Sequence, residues 1–484
     1  MLEIEIQYSV QDNHYVTLPD IYLCFHWIIS ITKKFNSIFQ SFQNLILMAE
    51  PLKKSISYFA LTMIAVGSCI GSGIFISPSD VASQLSNGGQ VLLVWLIGGV
   101  VALTGALSFG ELASKFPGTG GVYIYLREAY GDLVAYLYGW SILTVITSGA
   151  IAALCIAFSR YFTLLFGIEA SFQVPIALTA LFVVTFINVI GVRWSAIFSS
   201  SMTVLKVVGI GIIIVICLSY GSDLMDNIVL ENPKSTSVSF GLALIGVLWS
   251  YGGWHHASYV GGEVDQAHKI LPRALITGAT IVTATYLLVN VAYLSVLNID
   301  EISSSQAVAT DALLKVSSTG GILVAILIAL STFGTAGIFT LSAPRIYYAM
   351  GADKVFFPWL ADIHPKFGTP VKAIVLQSAW AGMLLVFWGT FESLATYVVF
   401  MDWIFMTLAA IALFKFRKTG DASHPATYKV PFYPITPLIF IGISIWFLGS
   451  TLVGRPVQAL AGLILMLIGL PFYFRFKRSK GMGQ

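Results

Sequence analysis

Long apolar stretches separated by short charged ones dominate this chain. Ten runs carry no Asp, Glu, Lys or Arg: 55–79, 81–110, 133–159, 170–192, 235–262, 274–299, 316–344, 373–391, 430–454 and 456–474. Two further runs, 194–222 and 393–414, carry one charge each, Lys206 and Asp402. Each is longer than the roughly 18 apolar residues that mark a membrane-spanning helix. The pattern therefore predicts an all-α integral membrane protein with twelve spans.

Two of those spans carry their own interruption. In Val66–Pro78, VGSCIGSGIFISP, Gly67, Gly71 and Gly73 should stop the helix. A bilayer tolerates unpaired backbone only where it is buried in protein or lines a cavity, so the gap is a candidate binding site. The second half-helix, starting near Ile74, would point free N–H groups and a positive dipole end at that gap. That arrangement suits a carboxylate. A similar break follows at Ser250–Trp254, SYGGW. Interrupted segments in corresponding halves are the best sequence pointer to a transporter's central site. The alternative is that the glycines only let helices pack closely, as expected for the stripe Gly98, Ala102, Ala106 and Gly110.

Composition agrees, with 57% hydrophobic and 10% charged residues. If the first span runs outward, Arg160, Lys234, Lys315 and Arg455 are the basic residues left outside, and the inner loops carry the others beyond Lys53 except Lys206. The positive-inside rule then puts both termini in the cytoplasm. The net charge of +3 is thus membrane topology and not a nucleic-acid footprint. No phosphate loop, metal-ligand spacing or nucleophile–base pair is visible, which argues against an enzyme and against a metal or other cofactor. Cys24, Cys69, Cys155 and Cys217 do not form a disulfide framework, and the last three read as buried free thiols.

Residues 1–47 depart from this pattern. They are polar apart from Ile21–Ile31, too short to span, and read as a non-functional extension with Met48 as the working start, or as an interfacial helix closed by Lys33 and Lys34. The membrane-spanning part is 48–478, with a first repeat over about 55–222, a second over about 236–416, and two extra helices over about 430–476.

The intramembrane charges need separate accounts. Lys206 costs about 2.5 to 3.5 kcal/mol to bury, so it should face protein and be paired. Snorkelling would take it toward Arg193, 13 residues or about 20 Å away at the helical rise. Asp402 is either a functional carboxylate or a hydrogen-bonded core residue. His255, beside the second break, titrates near neutral pH, and could bind a coupling proton or be a neutral imidazole bonded to a carbonyl.

Taken together, IGSGIF (Ile70–Phe75), FPGTGGVYIYLREAYG (Phe116–Gly131), Lys206, SYGGW, LPRA (Leu271–Ala274), NVAYLSVL (Asn290–Leu297) and IHPKFGTP (Ile363–Pro370) resemble the amino acid-polyamine-organocation superfamily. Within it the likeness is to the L-type amino acid transporter-like permeases, over about Pro51–Phe474. The resemblance implies a 5+5 inverted repeat with discontinuous helices 1 and 6, two extra C-terminal helices, and amino acid transport by alternating access. It further implies that the N–H groups of Ser72 and Gly73 and the Ser72 hydroxyl bind the substrate carboxylate. Carbonyls at Cys69, Trp249, Ser250 and Gly252 would take the ammonium, with Ile70 and Gly71 in the same unwound stretch. Trp249 would be an aromatic gate, unless it is an ordinary core or lipid-facing tryptophan. Lys206 would reach carbonyls near Gly67–Ile70, and oxygens at Ser331 or Thr332, where sodium-coupled transporters of this fold hold a cation. Gly337 would stand in the pocket where some relatives carry Asn, and His255 and His256 replace a common Asn and Tyr. The expected activity is sodium-independent exchange of neutral amino acids at the plasma membrane, the partners being the substrate and the lipid bilayer. A partner subunit or homodimer is left open. Proton-coupled symport and a non-transporting amino acid sensor are the alternatives.

Overall fold

A computed structural model describes residues 52–228, 236–317, 320–388, 391–419 and 426–481. The expected N-terminal extension, with Cys24, Lys33 and Lys34, lies outside the described residues, as does Lys234. Among the described residues, ten helices are long and apolar enough to cross a membrane, and two shorter apolar ones, Ser237–Tyr251 and Val371–Phe387, fill the remaining places in the predicted order. The protein is thus a multi-pass helical membrane protein.

Span 1 covers Tyr58–Ser83, span 2 Gly88–Lys115, span 3 Asp132–Phe166, span 4 Ala170–Val189 and span 5 Val192–Tyr220. Span 6 begins with the helix Ser237–Tyr251, and span 7 is Ala267–Leu294. Spans 8, 9 and 10 are Gly320–Ala352, Val371–Trp388 and Phe391–Thr419. Spans 11 and 12 are Ile435–Gly454 and Pro456–Lys477. Side-chain caps begin several of them: Ser57 accepts from the Ala60 N–H, Asn87 from Gln90 and Thr236 from Ser239.

The packing carries the repeat. Span 2 lies on span 7, span 3 on span 8, span 4 on span 9, and the second half of span 1 on the first half of span 6, so four spans pack on the counterpart five places later. Span 11 packs on spans 2, 6 and 10. Span 1 is the most enclosed of those ten, with 89% of its apolar window buried against 22% for span 4. The outward rows of spans 4 and 5, including Phe182, Phe186, Val208 and Val215, are exposed and apolar, as a lipid-facing surface requires. The stripe on span 2 is used for packing: a Cβ on Gly98 would lie 2.2 Å from Val247 Cγ1 and one on Gly110 3.1 Å from Tyr428 Cε1.

The loops predicted to share one membrane face meet at one end. Ser55 N–H donates to Glu263 O and Gly120 N–H to Tyr259 O. Arg127 and Tyr123, after span 2, both bond Asp353, after span 8. Glu263 and Arg345, each fully buried, form a bidentate ion pair at 2.7 and 3.1 Å. At the opposite end Asn227 Nδ2 donates to the carbonyls of Leu294 and Leu297.

Candidate functional site

Both glycine breaks unwind where the sequence places them. The first helix ends at Cys69 and the second starts at Gly73, so Ile70–Ser72 are unwound while Gly67 stays helical. The second break spans Gly252–His255, after a helix that includes Ser250 and Tyr251, with Gly253 at φ +118. The helix restarts only briefly, at His256–Tyr259. The two breaks interlock through glycine. A Cβ on Gly73 would lie 2.9 Å from Ser250 Cα, and one on Gly253 2.7 Å from Ser68 O. Close backbone approach therefore explains these two glycines directly.

Unwinding leaves donors and acceptors without helical partners. Among the described residues no acceptor takes the N–H groups of Ser72, Gly73 or Ile74, and the buried Ser72 hydroxyl has no partner either. Tyr286, from span 7, places its hydroxyl 2.9 Å from both Cys69 O and Ser250 O. It ties the two broken helices together with one proton shared over two carbonyls. The Cys69 thiol donates to Tyr251 O at 3.4 Å, and no donor reaches Gly252 O among the described residues.

Lys206 is fully buried and points into the first break. Its Nζ lies 2.9 Å from Gly67 O, 2.6 Å from Ile70 O, 2.8 Å from Thr335 Oγ1 and 3.4 Å from Ser331 O. Ser331 Oγ donates to the carbonyls of Ile70 and Gly71, at 3.1 and 2.9 Å. Thr335 Oγ1 lies within 3.0 Å of Gly67 O and Ile70 O. Oxygens from spans 1 and 8 thus surround one ammonium. Thr332, an expected partner, turns back onto Ile328 O, and Thr335 stands in its place.

A cavity of about 390 Å³, counting its open mouth, adjoins the second break. Trp249, Gly252, Gly253, His255 and His256 line it from span 6, Ile146, Thr147 and Ala150 from span 3, Phe339 from span 8, and Val399, Asp402 and Trp403 from span 10. His255 Nε2 is 3.7 Å from Asp402 Oδ2. The expected bond from His255 to a carbonyl is absent among the described residues, since its Nδ1 has no partner. His256 Nδ1 pairs with Ser342 Oγ at 2.7 Å and its ring stacks on Phe339. No residue of the first break lines this cavity.

Gly337 does not line this cavity. It faces Phe198, where a Cβ would lie 2.5 Å from Cε1, and its carbonyl accepts from Asn188 Nδ2 at 3.1 Å. Two residues on, Phe339 takes the place at the cavity wall. Missed entirely was the π-helical turn Ile142–Ile146 in span 3, which delivers Ile146 and Thr147 to the same wall.

A family model described as amino acid permease matches residues 56–470. The chain belongs to that family. The permease is similar to the serine/threonine exchanger SteT of Bacillus subtilis (strain 168), 34% identical over 89% of this chain and 98% of that protein. It is also similar to the b(0,+)-type amino acid transporter 1 of Mus musculus, 31% identical over 89% of each chain. The Homo sapiens cystine/glutamate transporter is 31% identical over 88% of the permease and 85% of its own length. These matches place the permease among the L-type-like members of the amino acid-polyamine-organocation superfamily, as transporter and not enzyme.

Proposed function

We propose that the permease is a sodium-independent exchanger of neutral amino acids, working by alternating access in the plasma membrane with both termini in the cytoplasm. The observation that carries this reading is Lys206 Nζ, held by carbonyls of Gly67 and Ile70 at the break beside unpartnered Ser72. A fixed ammonium there supplies the positive charge that would otherwise call for a bound cation, and leaves the backbone donors of Ser72 and Gly73 for a carboxylate. A substrate ammonium would go to the carbonyls of Cys69, Trp249, Ser250 and Gly252, with Trp249 closing over the side chain. Exchange is supported by the relative named as a serine/threonine exchanger. Counterflow of labelled amino acids in liposomes, in sodium and in choline medium, tests it. Equal counterflow in both is expected, and a severalfold sodium requirement would refute it.

The contact of His255 with Asp402 favours a second reading, proton-coupled symport. Acid-stimulated uptake that His255→Asn abolishes would select it over exchange.

A further inference from the structure

Span 12 ends in cations that the protein does not pair. Arg455 precedes the span and Arg475 stands near its end, with no charged residue between them. They are 20 positions apart, about 30 Å at the helical rise, which is the thickness of a bilayer's hydrocarbon core. Arg475 and Lys477 therefore stand at the phosphate level of one leaflet, the cytoplasmic one in the orientation proposed above. Both are exposed. Other cations assigned to that side are held by carboxylates, Arg127 by Asp353, Lys372 by Asp362 and Arg417 by Glu111. Among the described residues no carboxylate pairs with Arg475 or Lys477, although Asp132 opens span 3, on which this helix end packs.

Aromatic side chains fix the helix end in place. Phe472 stacks on Trp140 of span 3, with ring centroids 5.1 Å apart, and the buried Tyr473 meets Tyr136 at 5.3 Å. Phe476 lies 4.9 Å from Phe357, in the loop after span 8, and Phe357 stacks on Trp359 at 5.6 Å. Phe357, Trp359, Phe472 and Phe474 nevertheless remain 40 to 53% exposed. Open rings beside unpaired cations at phosphate depth offer apolar surface to acyl chains and positive charge to a headgroup. A small soluble anion would use the charge and leave the rings bare. A neutral lipid would cover the rings and leave the cations without a counter-charge. An anionic phospholipid meets both demands.

We propose that the surface shared by the end of span 12 and the loop after span 8 binds an anionic phospholipid, with its phosphate on Arg475 and Lys477 and its acyl chains against the exposed rings. The proposal goes beyond amino acid exchange and takes from that reading only the cytoplasmic placement of the C terminus. Protein purified in neutral detergent is titrated with dioleoyl phosphatidylglycerol and, separately, with dioleoyl phosphatidylcholine, and lipid-linked thermal stabilisation gives the two apparent affinities. Each basic residue near an anionic headgroup contributes about fivefold, so phosphatidylglycerol should bind at least about tenfold more tightly. Arg475→Gln combined with Lys477→Gln should remove most of that difference and leave the phosphatidylcholine titration unchanged. Arg455→Gln, which removes a cation at the other end of the same span, should preserve it. Equal affinities for the two lipids in the unmutated protein would overturn the proposal whether or not the variants fold. An unchanged difference in the double variant, or an equal loss in Arg455→Gln, would overturn it too. So would matching stabilisation by inorganic phosphate, which would make this a free-anion site. A micelle has no sides, so the lipid result stands whichever way the termini point. Labelling of Gln484→Cys from outside intact cells by a membrane-impermeant thiol reagent, beyond that of the unmutated protein, would remove the cytoplasmic placement and leave the lipid site.

Discussion

Gly73 and Ser250 are in backbone contact across the two broken helices, so that a Cβ on Gly73 would stand 2.9 Å from Ser250 Cα and 2.4 Å from its Oγ. The hydroxyl can swing away, but the backbone cannot without moving the helix. Gly73→Val should therefore abolish exchange while protein still reaches the membrane, and Gly73→Ala should impair it less. Uptake normalised to membrane-inserted protein is the measurement. Near-normal uptake by Gly73→Val would mean that the two breaks need not meet during transport.

Trp249 is half-buried and stands at the cavity wall one turn before the second break. If its function is to cover a bound side chain, the relevant quantity is aromatic area, and Phe retains much of it while Ala does not. Trp249→Ala should lower exchange far more than Trp249→Phe. Equal activities of the two variants would show that the ring is not a gate.

What the sequence reveals of this site depends on how local each signal is. Gly67, Gly71 and Gly73 announce the first break because a helix-breaking run inside an apolar stretch needs no partner to be noticed. Lys206 is conspicuous because an intramembrane ammonium is costly. Tyr286 and Thr335 look like ordinary apolar-helix residues, and their importance lies in carbonyls 217 and 265 positions away in the chain. Gly337 lies off the cavity for a simple geometric reason. Residues two apart on a helix point about 200° apart, so when Phe339 faces the cavity Gly337 must face away from it. The π turn at Ile142–Ile146 has no breaker residue to betray it.

Glu263 and Arg345 are both fully buried, and the guanidinium also donates to Leu341 O. Removing one partner strands a charge, at a cost of about 3 to 5 kcal/mol, whereas replacing both with apolar residues of similar volume can be close to neutral. Arg345→Leu and Glu263→Leu should each lower the melting temperature markedly, and the double variant should recover most of the loss. Additive losses in a double-mutant cycle would show that the two residues act independently.

His255 faces Asp402, His256 and Tyr259, with ring centroids 5.0 and 5.6 Å from those of the last two. For an exchanger that moves no proton, counterflow between about pH 5.5 and 7.5 should change little. The pH profile of His255→Asn should then be flat as well, at whatever level the variant works. A steep acid stimulation in the unmutated protein, lost in His255→Asn, would transfer the assignment to symport.

Lys206 holds four oxygen atoms of spans 1 and 8 around one ammonium, the nearest at 2.6 Å. Hydrogen bonds to a charged donor contribute about 1.5 to 3 kcal/mol, and removing the donor leaves the carbonyls of Gly67 and Ile70 with only the hydroxyls of Thr335 and Ser331. Part of that loss is returned because no ammonium then has to be desolvated. Lys206→Ala should thus fold and insert but lose rigidity at the break, giving slower counterflow or weaker substrate-linked stabilisation. Thr335→Val, which removes a hydroxyl and keeps the ammonium, should have a smaller effect in the same direction. The discriminating measurement is sodium dependence. The space vacated in Lys206→Ala is lined by oxygen ligands of the kind that suit a hard cation. Partial rescue of the variant by sodium over choline, alongside indifference of the unmutated protein, is the expected result. Full activity of Lys206→Ala in choline would show that no positive charge is needed at this break.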